Sequence, residues 1–157
     1  MKKATKRISV FLVLLAAVFT LTSCENIIPP EKTAFTLQND FSKRTLSVGE
    51  KTTYKVNLKN LTGDVYTLKC GEPLIKLEII TSEENESRKE VAEELAEYNI
   101  LECDIAPHGQ IEEFIDFTPE KAGSYVLKAS CKFTIDGTEN SVQYEYECVD
   151  LQITVEE

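Results

Sequence analysis

Between positions 124 and 135 the residues Tyr125, Leu127, Ala129, Cys131, Phe133 and Ile135 all fall at odd numbers, with Lys128, Ser130, Lys132 and Thr134 among their even neighbours. A period of two is that of a strand with one buried face, so this stretch predicts a long strand whose odd side chains point inward. The stretch 52–61 repeats the pattern in the other phase, with Tyr54, Val56 and Leu58 inward and Thr53, Lys55, Asn57 and Lys59 outward. Over 111–117 the residues Ile111, Ile115 and Phe117 share a face that Glu113 interrupts, which places Glu113 near a strand end. The C-terminal stretch changes phase partway: Val142, Tyr144, Tyr146 and Cys148 are even, whereas Val149, Leu151, Ile153 and Val155 are odd. One inserted residue reconciles the two halves with a single buried face, which predicts a β-bulge near Cys148 and Val149.

Shorter runs at 34–37, 44–48, 65–70, 74–81 and 100–105 complete the set. Turn-forming clusters separate them: Gly49-Glu50, residues 60–64, 71–73, Pro107-His108-Gly109, and 136–140, where Gly137 is available for a positive φ. Short alternating strands at this spacing predict an all-β fold, an immunoglobulin-like antiparallel β-sandwich of seven or eight strands. Residues 83–98 depart from the pattern. They are dense in Glu, follow the N-cap candidate Ser82, and carry Val91, Leu95 and Tyr98 at spacings of four and three. This predicts one inserted short helix whose narrow apolar stripe docks on a sheet edge or a sandwich end.

The N-terminus has a different logic. Lys2, Lys3, Lys6 and Arg7 precede an apolar run over 8–21. The run is shorter than the roughly 20 residues of a membrane-spanning helix and has the layout of a secretory signal peptide. Leu21-Thr22-Ser23-Cys24 then resembles the lipobox of bacterial lipoproteins, an aliphatic residue and two small ones ahead of a cysteine. That resemblance implies a diacylglyceryl group on the Cys24 thiol, cleavage in front of it, and a lipid bilayer as partner. Two acyl chains give a stable anchor where one binds only marginally. The expected organisation is a signal peptide over 1–23, a tether over 24–33 and one sandwich domain over 34–157. Pro29 and Pro30 favour an extended, semi-rigid tether. The implied location is the extracytoplasmic side of the cell membrane; Glu25, where an Asp is lacking, favours the outer membrane if the host has two.

Removing residues 1–23 from the 157 leaves 134, the size of one ordinary domain. Four of the 17 basic residues go with them and none of the 27 acidic ones, so the remaining formal charge is −14. Phosphate binding needs basic clusters that such a chain lacks, which excludes nucleic acid as a partner.

The residues from Val56 to Asn60 with Thr62, the run 74–79, then Ile105, Pro107 and Gly109 ahead of the strand to Phe117, and Gly123, Tyr125 and Val126 stand in a telling order. That order resembles the immunoglobulin-like domains of the intracellular proteinase inhibitor (BsuPI-like) family, over roughly residues 45–135. Gly123 and Tyr125 also resemble the opening of an immunoglobulin F strand, whose tyrosine hydroxyl bonds back to the preceding loop. Leu127 stands where an antibody domain has its cysteine, and the chain has no tryptophan, which excludes an antibody-type domain.

Beyond Cys24 there are four cysteines: Cys70, Cys103, Cys131 and Cys148. Outside the cytoplasm an even count suggests disulfides. Cys131 and Cys148 lie on neighbouring strands with a shared inward face and form the first candidate pair, with Cys70 and Cys103 left for a second; buried free thiols are the competing reading. The spacings of 33, 28 and 17 contain no C-x-x-C and no close ligand pair, so neither a redox dithiol nor a metal site is expected. Glu83, Glu84 and Glu86 lack the spacing of a calcium loop and suit a solvated helix start. The sole histidine, His108, is explained by its turn. With no catalytic residues and no cofactor expected, the sequence points to a membrane-anchored, non-enzymatic binding or structural module of the cell envelope that meets a protein or other envelope component. The alternative implied by the family resemblance is an inhibitor of an extracytoplasmic protease.

Overall fold

The computed structural model describes residues 27–82 and 100–157. The helix expected over 83–98, like Cys24 and the signal segment, lies outside the described residues. A 3-10 turn at Lys32–Ala34 leads into nine strands: β1 Phe35–Asn39, β2 Thr45–Ser47, β3 Thr52–Asn60, β4 Tyr66–Thr81, β5 Leu101–Ile105, β6 Gln110–Phe117, β7 Gly123–Asp136, β8 Ser141–Glu147 and β9 Leu151–Glu156. They form two sheets, β1-β3-β6 and β2-β9-β7-β4-β5, with β8 also paired to β7. The inner faces of the two sheets close on one another, as an immunoglobulin-like sandwich requires.

The alternation along each strand decides which side chains meet there. On β3 the residues Tyr54, Val56 and Leu58 are fully buried, and on β7 so are Leu127, Ala129, Cys131, Phe133 and Ile135. Burial of each large apolar side chain contributes about 1.5–3 kcal/mol. Phe35 at the start of β1 sits edge-on to Tyr66, Phe133 and Tyr144 with ring centroids 5.3–5.8 Å apart, which ties the small sheet to the large one. Tyr125, at the corner between β6 and β7, donates its hydroxyl to the carbonyl of Lys121 at 3.0 Å. This is the tyrosine corner that the F-strand likeness implied.

Four features differ from the sequence expectation. There are nine strands among the described residues rather than seven or eight, and one pairing, β2 with β9, is parallel. Residues 71–73 do not separate two strands: β4 runs through them with a bulge. Cys70 faces Phe133 and Ile75 faces Cys131, so five steps on β4 match two on β7. The predicted bulge near Cys148 is present. Ser130 faces Glu147 but Leu127 faces Leu151, three steps against four, and the Cys148 amide donates to the Ala129 carbonyl at 2.9 Å. The extra residue carries the buried set from Tyr144 over to Leu151, Ile153 and Val155.

Glu113 lies in the middle of β6, opposite Val56, not near an end. β6 is an edge strand. An inward-pointing carboxylate there discourages another strand from pairing onto the edge.

Candidate functional site

The tether was expected to be an extended spacer, yet residues 27–33 lie against the β7–β8 hairpin. The Ile27 amide donates to Thr138 Oγ1 at 2.9 Å, and the Thr138 amide donates to the Ile27 carbonyl at 2.8 Å. Farther along, the Tyr144 hydroxyl donates to the Pro30 carbonyl at 2.5 Å and the Tyr146 hydroxyl to the Lys32 carbonyl at 2.7 Å. The Lys32 ammonium rests 5.5 Å from the centre of the Tyr146 ring. Proline has no amide hydrogen, so Pro29 and Pro30 offer only carbonyls, and it is a carbonyl that Tyr144 takes up. Gly137 is required here for space and not for a positive φ: a Cβ would overlap Pro29 Cδ and come within 2.8 Å of the Ile27 carbonyl.

Beside this segment, two turns are fastened by one side chain. Asn60, only 2% exposed, donates from Nδ2 to the carbonyls of Asp64 at 2.7 Å and Ala106 at 3.0 Å. Its Oδ1 accepts from the Thr62 amide at 3.0 Å and the Thr62 hydroxyl at 2.8 Å, so the side-chain amide has all its valences used. The His108 amide donates to the Thr62 carbonyl at 3.0 Å, and His108 has a φ of 53°. Asn60, Thr62 and Gly109, three of the residues named in the resemblance, therefore knit the β3–β4 and β5–β6 turns together. The loop explains His108.

The four described cysteines are free thiols. Cys131 and Cys148 do share a face as expected, but they are not bonded. Cys131 faces Tyr146 while the Cys148 amide bonds to Ala129, so the two are offset by two residues. Cys103 faces Leu68 and Cys70 faces Leu101, the same diagonal offset. Cβ atoms approach to disulfide range in directly opposed pairs, and a diagonal pair stands well outside it. Cys70 Sγ instead makes a weak hydrogen bond to the Leu101 carbonyl at 3.9 Å. Burial pushes the Cys131 thiol up to about 12, with a further push from Cys148, and the Cys70 thiol up to about 11. Cys103 is raised by burial, and Cys148 is raised by burial against a lowering hydrogen bond from the Asn39 backbone. Thiols held protonated in this way are poor nucleophiles. Among the described residues no group of three or more His, Cys, Asp or Glu could hold a metal ion.

The Tyr54 hydroxyl is buried without a hydrogen-bond partner, and burial, followed by the charges of Cys148 and Asp150, pushes it up to about 12. A cleft of about 400 Å³ lies nearby, lined by Leu37, Gln38, Asn39, Glu147, Cys148 and Val149.

No family model matches the chain, and no curated protein sequence does. Among solved structures the chain is similar to the CARDB domain of the Pyrococcus furiosus protein PF1109 in complex with di-metal ions. The two are 16% identical with a TM-score of 0.40, over 77% of this chain and 86% of that one. It is also similar to the seventh PapD-like domain of human CEP192, at 12% identity and a TM-score of 0.35, over 84% of this chain and 90% of that one. A third likeness is to a β-glucosidase from Listeria innocua, at 10% identity and a TM-score of 0.36, covering 78% of this chain and 16% of that one. The protein's own topology and tyrosine corner define its class, an immunoglobulin-like β-sandwich.

Proposed function

We propose that this protein is a lipid-anchored, extracytoplasmic, non-enzymatic module of the cell envelope that acts by contact with a protein or another envelope component. The observation that carries the reading is the run Leu21-Thr22-Ser23-Cys24, placed directly after a basic flank and an apolar stretch of signal-peptide length. Acylation of Cys24 supplies the anchor, and the sandwich supplies the contact surface. Contact is the favoured mode because, among the described residues, the lone histidine His108 serves a turn and Cys70 and Cys131 are packed into the core. From the inhibitor-family likeness no inhibitory loop carries over residue by residue, and its Asn60, Thr62 and Gly109 tie two turns together. The test is fractionation of cells expressing the full chain or its Cys24→Ala variant. The reading predicts that the native chain sediments with membranes and withstands carbonate washing while the variant does not. Equal membrane retention of both would overturn it.

A further inference from the structure

Four exposed apolar residues gather at one end of the sandwich: Ile27 (54% exposed), Ile28 (79%), Leu61 (53%) and Val65 (59%). Backbone bonds fix them at the same end. Ile27 is held to the β7–β8 hairpin through Thr138, Leu61 donates its amide to the Ala34 carbonyl at 2.8 Å, and the Thr62 carbonyl accepts from His108 in the neighbouring turn. Across the large sheet, Lys69 reaches Asp136 at the hairpin with a 2.7 Å ion pair, which sets the start of β4, and with it Val65, beside the hairpin. The chain entering this end carries Cys24 three residues before Ile27. A residue spans at most about 3.6 Å, so three residues hold Cys24 within about 11 Å of the docked Ile27.

We propose that this end of the sandwich rests on the bilayer surface, with Ile27, Ile28, Leu61 and Val65 in contact with lipid, so that the domain stands end-on and not on a free stalk. The proposal rests on the anchoring reading above. A stalk that was free to swing would leave its carbonyls to water; here Pro30 and Lys32 give theirs to Tyr144 and Tyr146. The apolar residues are large and form a rim of the kind that inserts shallowly at a membrane interface. Asp64 stands between Leu61 and Val65 in the chain and Glu139 follows Thr138 in the hairpin, so a zwitterionic surface fits this end better than an anionic one. The opposite end, where the Val48 amide bonds to the Glu156 carbonyl and the Gly49 amide to the Pro119 carbonyl, then faces away from the membrane.

The chain has no tryptophan, so a single introduced one reports on its own position. Leu61→Trp, Val65→Trp and Val48→Trp place the probe on exposed residues at the two ends. Each full-length variant is extracted from membranes, its mass is read for acyl groups, and it is reconstituted on phosphatidylcholine vesicles brominated near the acyl carbonyls. Quenching several-fold stronger at positions 61 and 65 than at 48 is expected. Adding Gly137→Val, which displaces Pro29 and frees the segment, should pull the position 61 signal down toward that at 48. Equal quenching at all three positions in acylated, vesicle-bound protein would overturn the orientation alone. A sample whose mass lacks acyl groups would overturn the anchoring reading instead.

Discussion

Replacing Asn60 by alanine removes four hydrogen bonds at once from a site that is 2% exposed. Each neutral bond contributes about 1 kcal/mol net, and the part-buried amide of Thr62 loses a partner that water must replace, while the Ala106 carbonyl keeps the Gly109 amide. Allowing for partial rehydration at the turns, the loss is about 3 kcal/mol. For a domain of this size each kcal/mol moves the midpoint by roughly 3–6 °C, so Tm should fall by on the order of 10–20 °C. Asn57, on the same strand and 8% exposed, provides the control, because its Oδ1 is buried with no partner. Asn57→Ala therefore costs under about 1 kcal/mol, since removing an unsatisfied buried acceptor offsets the lost packing. Urea denaturation followed by circular dichroism measures both variants. Asn60→Ala within about 1 kcal/mol of Asn57→Ala would refute the view of Asn60 as the fastener of the two turns.

The thiols predict a pH dependence. The folded-state values of Cys131 and Cys70 are raised to about 12 and about 11, above the unfolded value of 9.0. Their contribution to stability is thus intact below pH 9 and lost as pH climbs toward the folded values, because the unfolded chain releases those protons first. The urea midpoint should be flat through pH 8 and decline beyond 9, with a shallower decline in Cys131→Val; a decline of the same slope in that variant would contradict the assignment. With iodoacetamide on the native domain, half-buried Cys103 and Cys148 should be alkylated well before buried Cys70 and Cys131, an order that peptide mass mapping reads directly. Tyr125→Phe deletes the corner bond to Lys121 and should cost about 1 kcal/mol in a denaturant melt; no change at all would mean that the corner is ornamental.

Much of the fold was legible because the period of two is imposed locally. The odd residues of β7 from Leu127 to Ile135 and the even residues Tyr54, Val56 and Leu58 of β3 are buried as their alternation required, whereas Asn57, expected to point outward, is buried and Tyr125 is only half-buried; the phase change at Cys148 foretold the bulge. The parallel pairing of β2 with β9 was not legible, since it joins residues more than a hundred positions apart and leaves no local mark. The cluster 71–73 has the composition of a turn, and whether such residues end a strand or bulge within it depends on what β7 offers opposite. The docking of residues 27–33 was not legible for the same reason. Pro29 and Pro30 specify an extended backbone, but Tyr144, Tyr146 and Gly137 decide that it lies against the sheet. A glycine at 137 with two tyrosines following on alternate positions was the available signal. The cysteine pairing failed on register: a shared face is visible in the alternation, whereas a diagonal offset of two is not.

The central claim is that Cys24 becomes the acylated first residue of the mature protein, and the intact mass of protein extracted from membranes tests it most directly. The account predicts a chain that begins at Cys24 and carries the added mass of a diacylglyceryl group. A chain that retains residues 1–23, or one that begins elsewhere with Cys24 unmodified or absent, would contradict it.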